Sequence, residues 1–102
     1  MFLARVVGTV VSTHKDHKLS GLKLLLVQQI SLELEPKESF VVAADSVGAG
    51  RGEVVVCVAG SSARLTDVTE GLPVDSAIIA IVDTLEVHGK IVFQKSEETV
   101  QV

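Results

Sequence analysis

Nineteen of the 102 residues are valine, and five more are isoleucine. A β-branched side chain has little χ1 freedom and packs well on a pleated surface. A chain this rich in valine is therefore directed towards strands. Its length fits one domain, since compact domains run to about 100–150 residues. Hydrophobic residues make up 47% and charged residues 22%, which excludes a disordered chain.

The apolar runs place the strands. Phe2–Thr13 predicts a first strand, with Gly8 as a bulge or close-approach point. His14–Lys18 is a polar turn. Leu22–Ile30 predicts a second strand whose single charge is Lys23. Glu33–Ser39, with Pro36, predicts a surface loop or hairpin end, and Phe40–Ala44 a short third strand. Asp45–Gly52 is a glycine-rich loop. Glu53–Ala59 is continuously apolar after its first residue and predicts a fourth strand buried on both faces. Gly60–Leu65 predicts one short helix with a serine at its N-cap. Thr66–Pro73 is a polar loop. Ala77–Val87 predicts a fifth strand, and His88-Gly89 a tight turn into Lys90–Gln94. Residues 1–95 form the expected domain, and 96–102 a polar tail that leaves it. Five main strands and one short helix suggest a small closed barrel of OB type. Closure also hides the strand edges that so apolar a sheet would offer to aggregation.

Mean hydropathy is +0.47, high for a small domain with little interior. The excess predicts burial against other chains. No apolar run approaches the roughly 18–20 residues that span a bilayer, so no membrane partner is expected. The opening Met1–Arg5 has no basic region before a long apolar stretch, and Cys57 has no second cysteine. Both favour the cytoplasm. The net charge of -4 and the presence of only Phe2, Phe40 and Phe93 among aromatics argue against nucleic-acid binding, which needs cations and stacking rings.

The candidate chemical motifs are weak. Gly48, Gly50 and Gly52 lie in a Gly-x-Gly-x-Gly spacing with a strand following. A dinucleotide loop needs Gly-x-Gly-x-x-Gly opening a helix. The glycines fit better a loop that takes positive φ or admits another backbone, including a neighbouring subunit's. His14 and His17 flank Asp16, without the third or fourth ligand that a metal site requires. Ser61, Ser62, Asp75, Asp83 and His88 make a Ser/His/Asp set on paper only, because no nucleophile elbow or oxyanion loop accompanies them. Cys57 sits in a valine run, where desolvation disfavours the thiolate, and reads as a core residue. Arg64 and Asp75 flank apolar strands next to small residues. They are either surface charges or an ion pair or helix-end contact at a subunit seam.

Several of these strings occur together and in order in a known family. Ala43–Glu53 (AADSVGAGRGE), Gly60–Arg64 (GSSAR), Pro73-Val74-Asp75 and Ile79–Asp83 (IAIVD) resemble the EutN/CcmL family of pentameric vertex proteins from bacterial microcompartment shells. Arg5–Thr13 and Gly21–Gln28 match as well, so the resemblance runs from about Met1 to Lys95. Many members carry Trp after the Gly-Glu pair, where this chain has Val54; that departure bears on local packing. The resemblance implies an OB-like barrel, a cyclic homopentamer, and a structural role at the corners of a polyhedral shell in the cytoplasm. It implies hexameric shell proteins as partners, no cofactor and no enzymatic activity. Under this reading Gly48, Gly50 and Gly52 form one face of the subunit seam, and Ser61, Ser62 and Arg64, with Asp75, another. The competing readings are an OB-type binding module for a small anionic ligand or single-stranded nucleic acid, and a small enzyme resting on the serine and histidine signals.

Overall fold

A computed structural model of the chain describes residues 1–98. Five strands form a closed barrel: β1 (Phe2–Val10), β2 (Leu24–Ile30), β3 (Pro36–Asp45), β4 (Val54–Ala59) and β5 (Ser76–Ile81), in the order β1-β2-β3-β5-β4. Neighbours are antiparallel except β3 and β5, which run parallel and pair only at Ala44↔Ala77 and Asp45↔Ile78. This is the expected all-β, OB-like barrel. A separate hairpin, β6 (Thr84–Val87) and β7 (Lys90–Gln94), lies outside the barrel ladder.

Alternation fills the interior. Ala4 and Val6 of β1, Leu25 and Val27 of β2, Ala43 of β3, Val55 and Cys57 of β4 and Ile78 of β5 make one core cluster. Strand β4 is buried on both faces, as its unbroken apolar run predicts. Val55 and Cys57 point inward, Val54 packs with Ile30 and Phe93, and Val58 packs with Ala63 and Ala77. Burial pushes the Cys57 thiol up to about 11, so it stays a protonated core group.

Four expectations need correction. β1 ends at Val10 rather than Thr13, because its ladder with β2 ends where Val10 meets Leu24. Pro36 does not sit in a loop: it opens β3, pairs with Ile30, and leaves only 31–35 as the connection. A strand's first residue tolerates the missing N–H, and proline's φ suits extended backbone. Residues 36–40 are exposed, so no apolar pattern marked them as strand. The predicted strand Ala77–Val87 breaks after Ile81. The Val82 N–H bonds the Val54 carbonyl at 2.8 Å, at the very start of β4, and beyond it the barrel has no strand left to pair with. The helix expected after Gly60 is a five-residue 3-10 segment, Gly60–Arg64. It has no side-chain cap, and Ala63 is its only buried residue. Five residues are too few to hold an α-helix by themselves.

Two local expectations hold. The β1–β2 register shifts between Val6 and Gly8, which is a bulge. His88 and Gly89 have φ of 51° and 78°, the pair of positive values that a two-residue hairpin turn needs.

The outer hairpin is attached through Phe93, which is 5% exposed and packs with Ile30 and Val54 beside Leu34 and Leu85. Phe93→Ala removes the largest side chain of this cluster. It should lower stability by about 3 kcal/mol, read as a shifted urea midpoint at fixed protein concentration. An unchanged midpoint would show that the hairpin packs without contributing.

Candidate functional site

The described residues do not converge on a catalytic centre. Ser61 and Ser62 lie in the exposed 3-10 segment beside the start of β5, where the Gly60 N–H bonds the Asp75 carbonyl at 2.8 Å. Asp83 and His88 lie beyond the other end of β5, about 20 Å away for a six-residue strand. The Ser/His/Asp set is therefore not assembled. Among the described residues no three His, Cys, Asp or Glu side chains gather in a way that could hold a metal.

What is built instead is a rigid plug at one end of the barrel. The loop from Asp45 to Gly52 folds inward so that Ala49 joins the main core cluster with no exposure. Asp45, with its side chain only 3% exposed, accepts from the N–H groups of Val47 (3.1 Å) and Ala49 (3.0 Å). Lys23 Nζ donates to the Ala49 carbonyl at 2.7 Å and stands 3.8 Å from the Asp45 carboxylate. Ser46 Oγ bonds the Ile78 carbonyl at 2.6 Å. The loop's polar groups are thus satisfied by the loop itself and by β2 and β5, which a buried carboxylate requires.

The far side of the loop is tied by two charged clasps. Glu53 Oε1 accepts from the Gly50 N–H at 2.6 Å, and Glu53 Oε2 is bonded to Lys95. Arg5 Nη1 donates to the Gly52 carbonyl and to Glu98 Oε1, both at 2.8 Å. So Lys95, the last residue of the expected domain, and Glu98 of the tail are fastened to the loop side, and 99–102 lie outside the described residues. The Lys95 hydrogen bond is the largest cause holding the Glu53 carboxyl below its ordinary range; partial burial opposes it and the Gly50 N–H adds to it.

The three loop glycines differ. Gly48 and Gly52 have φ of 79° and 87°, so they need the left-handed region. Gly50 does not. A Cβ there would stand 3.4 Å from Glu53 Oε1, so its missing side chain lets that carboxylate close over the backbone N–H. Of the two roles expected of these glycines, positive φ applies to Gly48 and Gly52 and not to Gly50.

The second candidate cluster is loosely held within the protomer. Arg64 and Asp75 are exposed. Arg64 forms no ion pair with Asp75 among the described residues; Arg64 Nη1 donates to the Val74 carbonyl at 3.2 Å. Four residues of the plug, Arg5, Lys23, Asp45 and Glu53, were not among the expected site residues. Two carried a signal: Lys23 is the lone charge in an apolar run, and Asp45 opens a glycine loop, where an Asx side chain bonds the backbone ahead of it.

The Glu53 clasp predicts a pH dependence. Its folded pKa lies below the 4.5 of the free group, so its stabilisation is fully present above pH 4.5 and is lost as pH falls through the folded value. The wild type should therefore exceed Glu53→Gln in denaturant midpoint at pH 7, and the gap should close below pH 4.5. A gap that stays constant from pH 7 to 3 would remove the clasp from the stability account.

Residues 1–83 match the family model described as "Ethanolamine utilisation protein EutN/carboxysome". The chain is 48% identical over 86 residues to the bacterial microcompartment shell vertex protein GrpN of Rhodospirillum rubrum, covering 84% of this chain and 97% of GrpN. The solved structure of that protein, described as a pentameric microcompartment shell protein, superposes with a TM-score of 0.77 over 85% of this chain and all of the other. The carboxysome shell vertex protein CcmL of Nostoc sp. is 46% identical over 99 residues, 96% of this chain and 98% of CcmL. The structure of CcmL from Gloeobacter violaceus gives a TM-score of 0.91 at 41% identity, covering 95% of this chain and all of that one.

Proposed function

This chain belongs to the EutN/CcmL family, and we propose that it is a structural protein forming the pentameric vertices of a bacterial microcompartment shell. The observation that carries this reading is the 48% identity to GrpN, whose structure is a pentameric shell protein on the same barrel. The physical requirement is simple. A net of six-fold tiles lies flat, so a closed polyhedron needs five-fold units at its corners. Such a ring needs a heterologous interface whose rotation closes on itself. Hexameric shell proteins are the neighbours this geometry calls for, and the cytoplasm is where the shell stands. The barrel domain is 1–95, with 96–102 as its tail.

The protomer suits such a role. Its glycine loop is held by a buried carboxylate and two charged clasps, so it can present a fixed surface. We assign Gly48, Gly50 and Gly52 to one side of the subunit seam, and Ser61, Ser62, Arg64 and Asp75 to the other. The bond to the Val74 carbonyl uses one of five guanidinium N–H groups, which leaves a fork to bond acceptors on a neighbour. The OB-type binding reading has less support. Phe93 is buried, Phe2 is half-buried, and only Phe40 is exposed to stack on a base.

Native mass spectrometry across a dilution series tests both levels. The wild type should appear as a five-chain ring; a protein that stays monomeric at every concentration would defeat the vertex reading. Arg64→Ala should strand acceptors across each seam, costing roughly 2 kcal/mol or more per interface. It should therefore dissociate at much higher concentration while keeping its strand circular dichroism. Arg64→Lys should rescue partly, because an ammonium lacks the planar fork. Dissociation of Arg64→Ala at the wild-type concentration would make Arg64 an ordinary surface residue.

A further inference from the structure

We infer that Lys95 and Glu98 form an ionic latch on the turn Gly50–Gly52, which salt opens while the first half of the glycine loop stays closed. The latch is a property of the protomer. Its use as a control over the subunit seam rests on the ring reading above.

The two halves of the loop are anchored in different ways. The first is held from inside. The Asp45 side chain is 3% exposed and takes the N–H groups of Val47 and Ala49, and Ala49 is itself fully buried. The second half has backbone anchors towards its end. The Gly52 N–H donates to the Val6 carbonyl at 2.8 Å, and the Val6 N–H to the Glu53 carbonyl at 3.0 Å. Between these anchors lies a turn with Arg51 exposed at its tip. Among the described residues, the Gly50 N–H and the Gly52 carbonyl are held there by side chains: Glu53 Oε1 accepts from the first, and Arg5 Nη1 donates to the second.

Each of these two side chains is held in turn by a late residue. Lys95 is bonded to Glu53 Oε2, and Glu98 Oε1 to Arg5 Nη1 at 2.8 Å. The Lys95 and Glu98 side chains are 46% and 41% exposed. Salt screens charges that stand in water far more than it screens a buried carboxylate among backbone N–H groups. Lys23 also acts on Glu53 by charge, and Asp83 on Lys95, so the attraction to be screened extends beyond one pair. Screening therefore acts on the Gly50–Gly52 turn and spares the Asp45 anchor. With the latch open, Gly50 and Gly52 have no Cβ to restrict the turn, and Arg51 is no longer presented at one place. The polar tail thus decides whether this part of the loop offers a fixed surface.

The test is amide hydrogen exchange of the full chain, read residue by residue at about 0.1 M and about 1 M salt, between which the screening length falls from about 10 Å to about 3 Å. The Gly50 amide should exchange roughly two- to fivefold faster at the higher salt, the range an exposed ion pair supports. The Ala49 amide, one residue away on the Asp45 anchor, should keep its rate. Lys95→Met should show the faster Gly50 rate at both salts, and Lys95→Arg, which keeps the charge, should restore the wild-type pattern. A Gly50 rate that ignores salt, or that rises together with that of Ala49, overturns the latch. So does a Lys95→Met variant with the wild-type Gly50 rate. Native mass spectrometry of Lys95→Met then separates the latch from its use. A raised dissociation concentration supports control over the seam. A variant with a loosened Gly50 that dissociates as the wild type does keeps the latch and overturns that control. A wild type that never assembles overturns the ring reading and leaves the latch standing.

Discussion

The barrel closes through two residue pairs, Ala44 with Ala77 and Asp45 with Ile78, and the rest of the architecture is arranged around that narrow seam. Parallel pairing over two residues supplies few hydrogen bonds, so closure needs help from neighbours. Asp45 gives it. Its backbone N–H bonds the Lys23 carbonyl, and its side chain gathers the N–H groups of Val47 and Ala49. Ser46 then fastens the strand end to Ile78. The same turn sends Ala49 into the core as a stopper. One buried carboxylate thus ends a strand, closes a barrel and shapes the loop assigned to the subunit seam.

The same narrow seam has an opposite consequence at the other end of β3. Where the parallel pair stops, the strands separate, and the edge from Pro36 to Ala43 has no ladder partner among the described residues. A monomeric protein of this size would have reason to cover it. A subunit of a ring can bury exposed apolar side chains against its neighbours, which fits a mean hydropathy of +0.47 in so small a domain.

The charged groups act on structure rather than chemistry. Arg5 bridges the Gly52 carbonyl and Glu98, and Lys95 reaches Glu53, which holds the Gly50 N–H. These contacts join the chain's first strand, its central loop and its late residues at one place. Exposed ion pairs contribute little singly. Here they act on backbone groups of a loop that must hold one shape, and their value lies in restricting it. The outer hairpin is fixed differently, by Phe93 and Leu85 packing beside Ile30 and Val54.

The sequence by itself determined the class of fold and much of its wiring. Valine density dictated strands. The unbroken run Val54–Ala59 dictated a strand buried on both faces, because only such a strand has no polar face to show. His88-Gly89 dictated a tight hairpin, because its backbone angles suit that pair. The ordered motifs from Arg5 to Asp83 pointed to the family. Other features were decided by contacts between residues far apart in the chain. Pro36 starts a strand because Ile30 stands beside it, and residues 36–40 carry no apolar pattern to show this. The run Ala77–Val87 breaks because β4 begins at Val54, opposite Val82, and offers no partner beyond it, a fact of strand extent elsewhere in the chain. Gly50 is small to admit Glu53, whereas Gly48 and Gly52 are glycine for their backbone angles; spacing treats all three alike. Lys23 and Asp45 lie 22 positions apart and meet only when β2 and β3 pair. Local patterns encode period and turn chemistry. Which strand ends first, and which charge meets which, is set by the three-dimensional closure of the barrel.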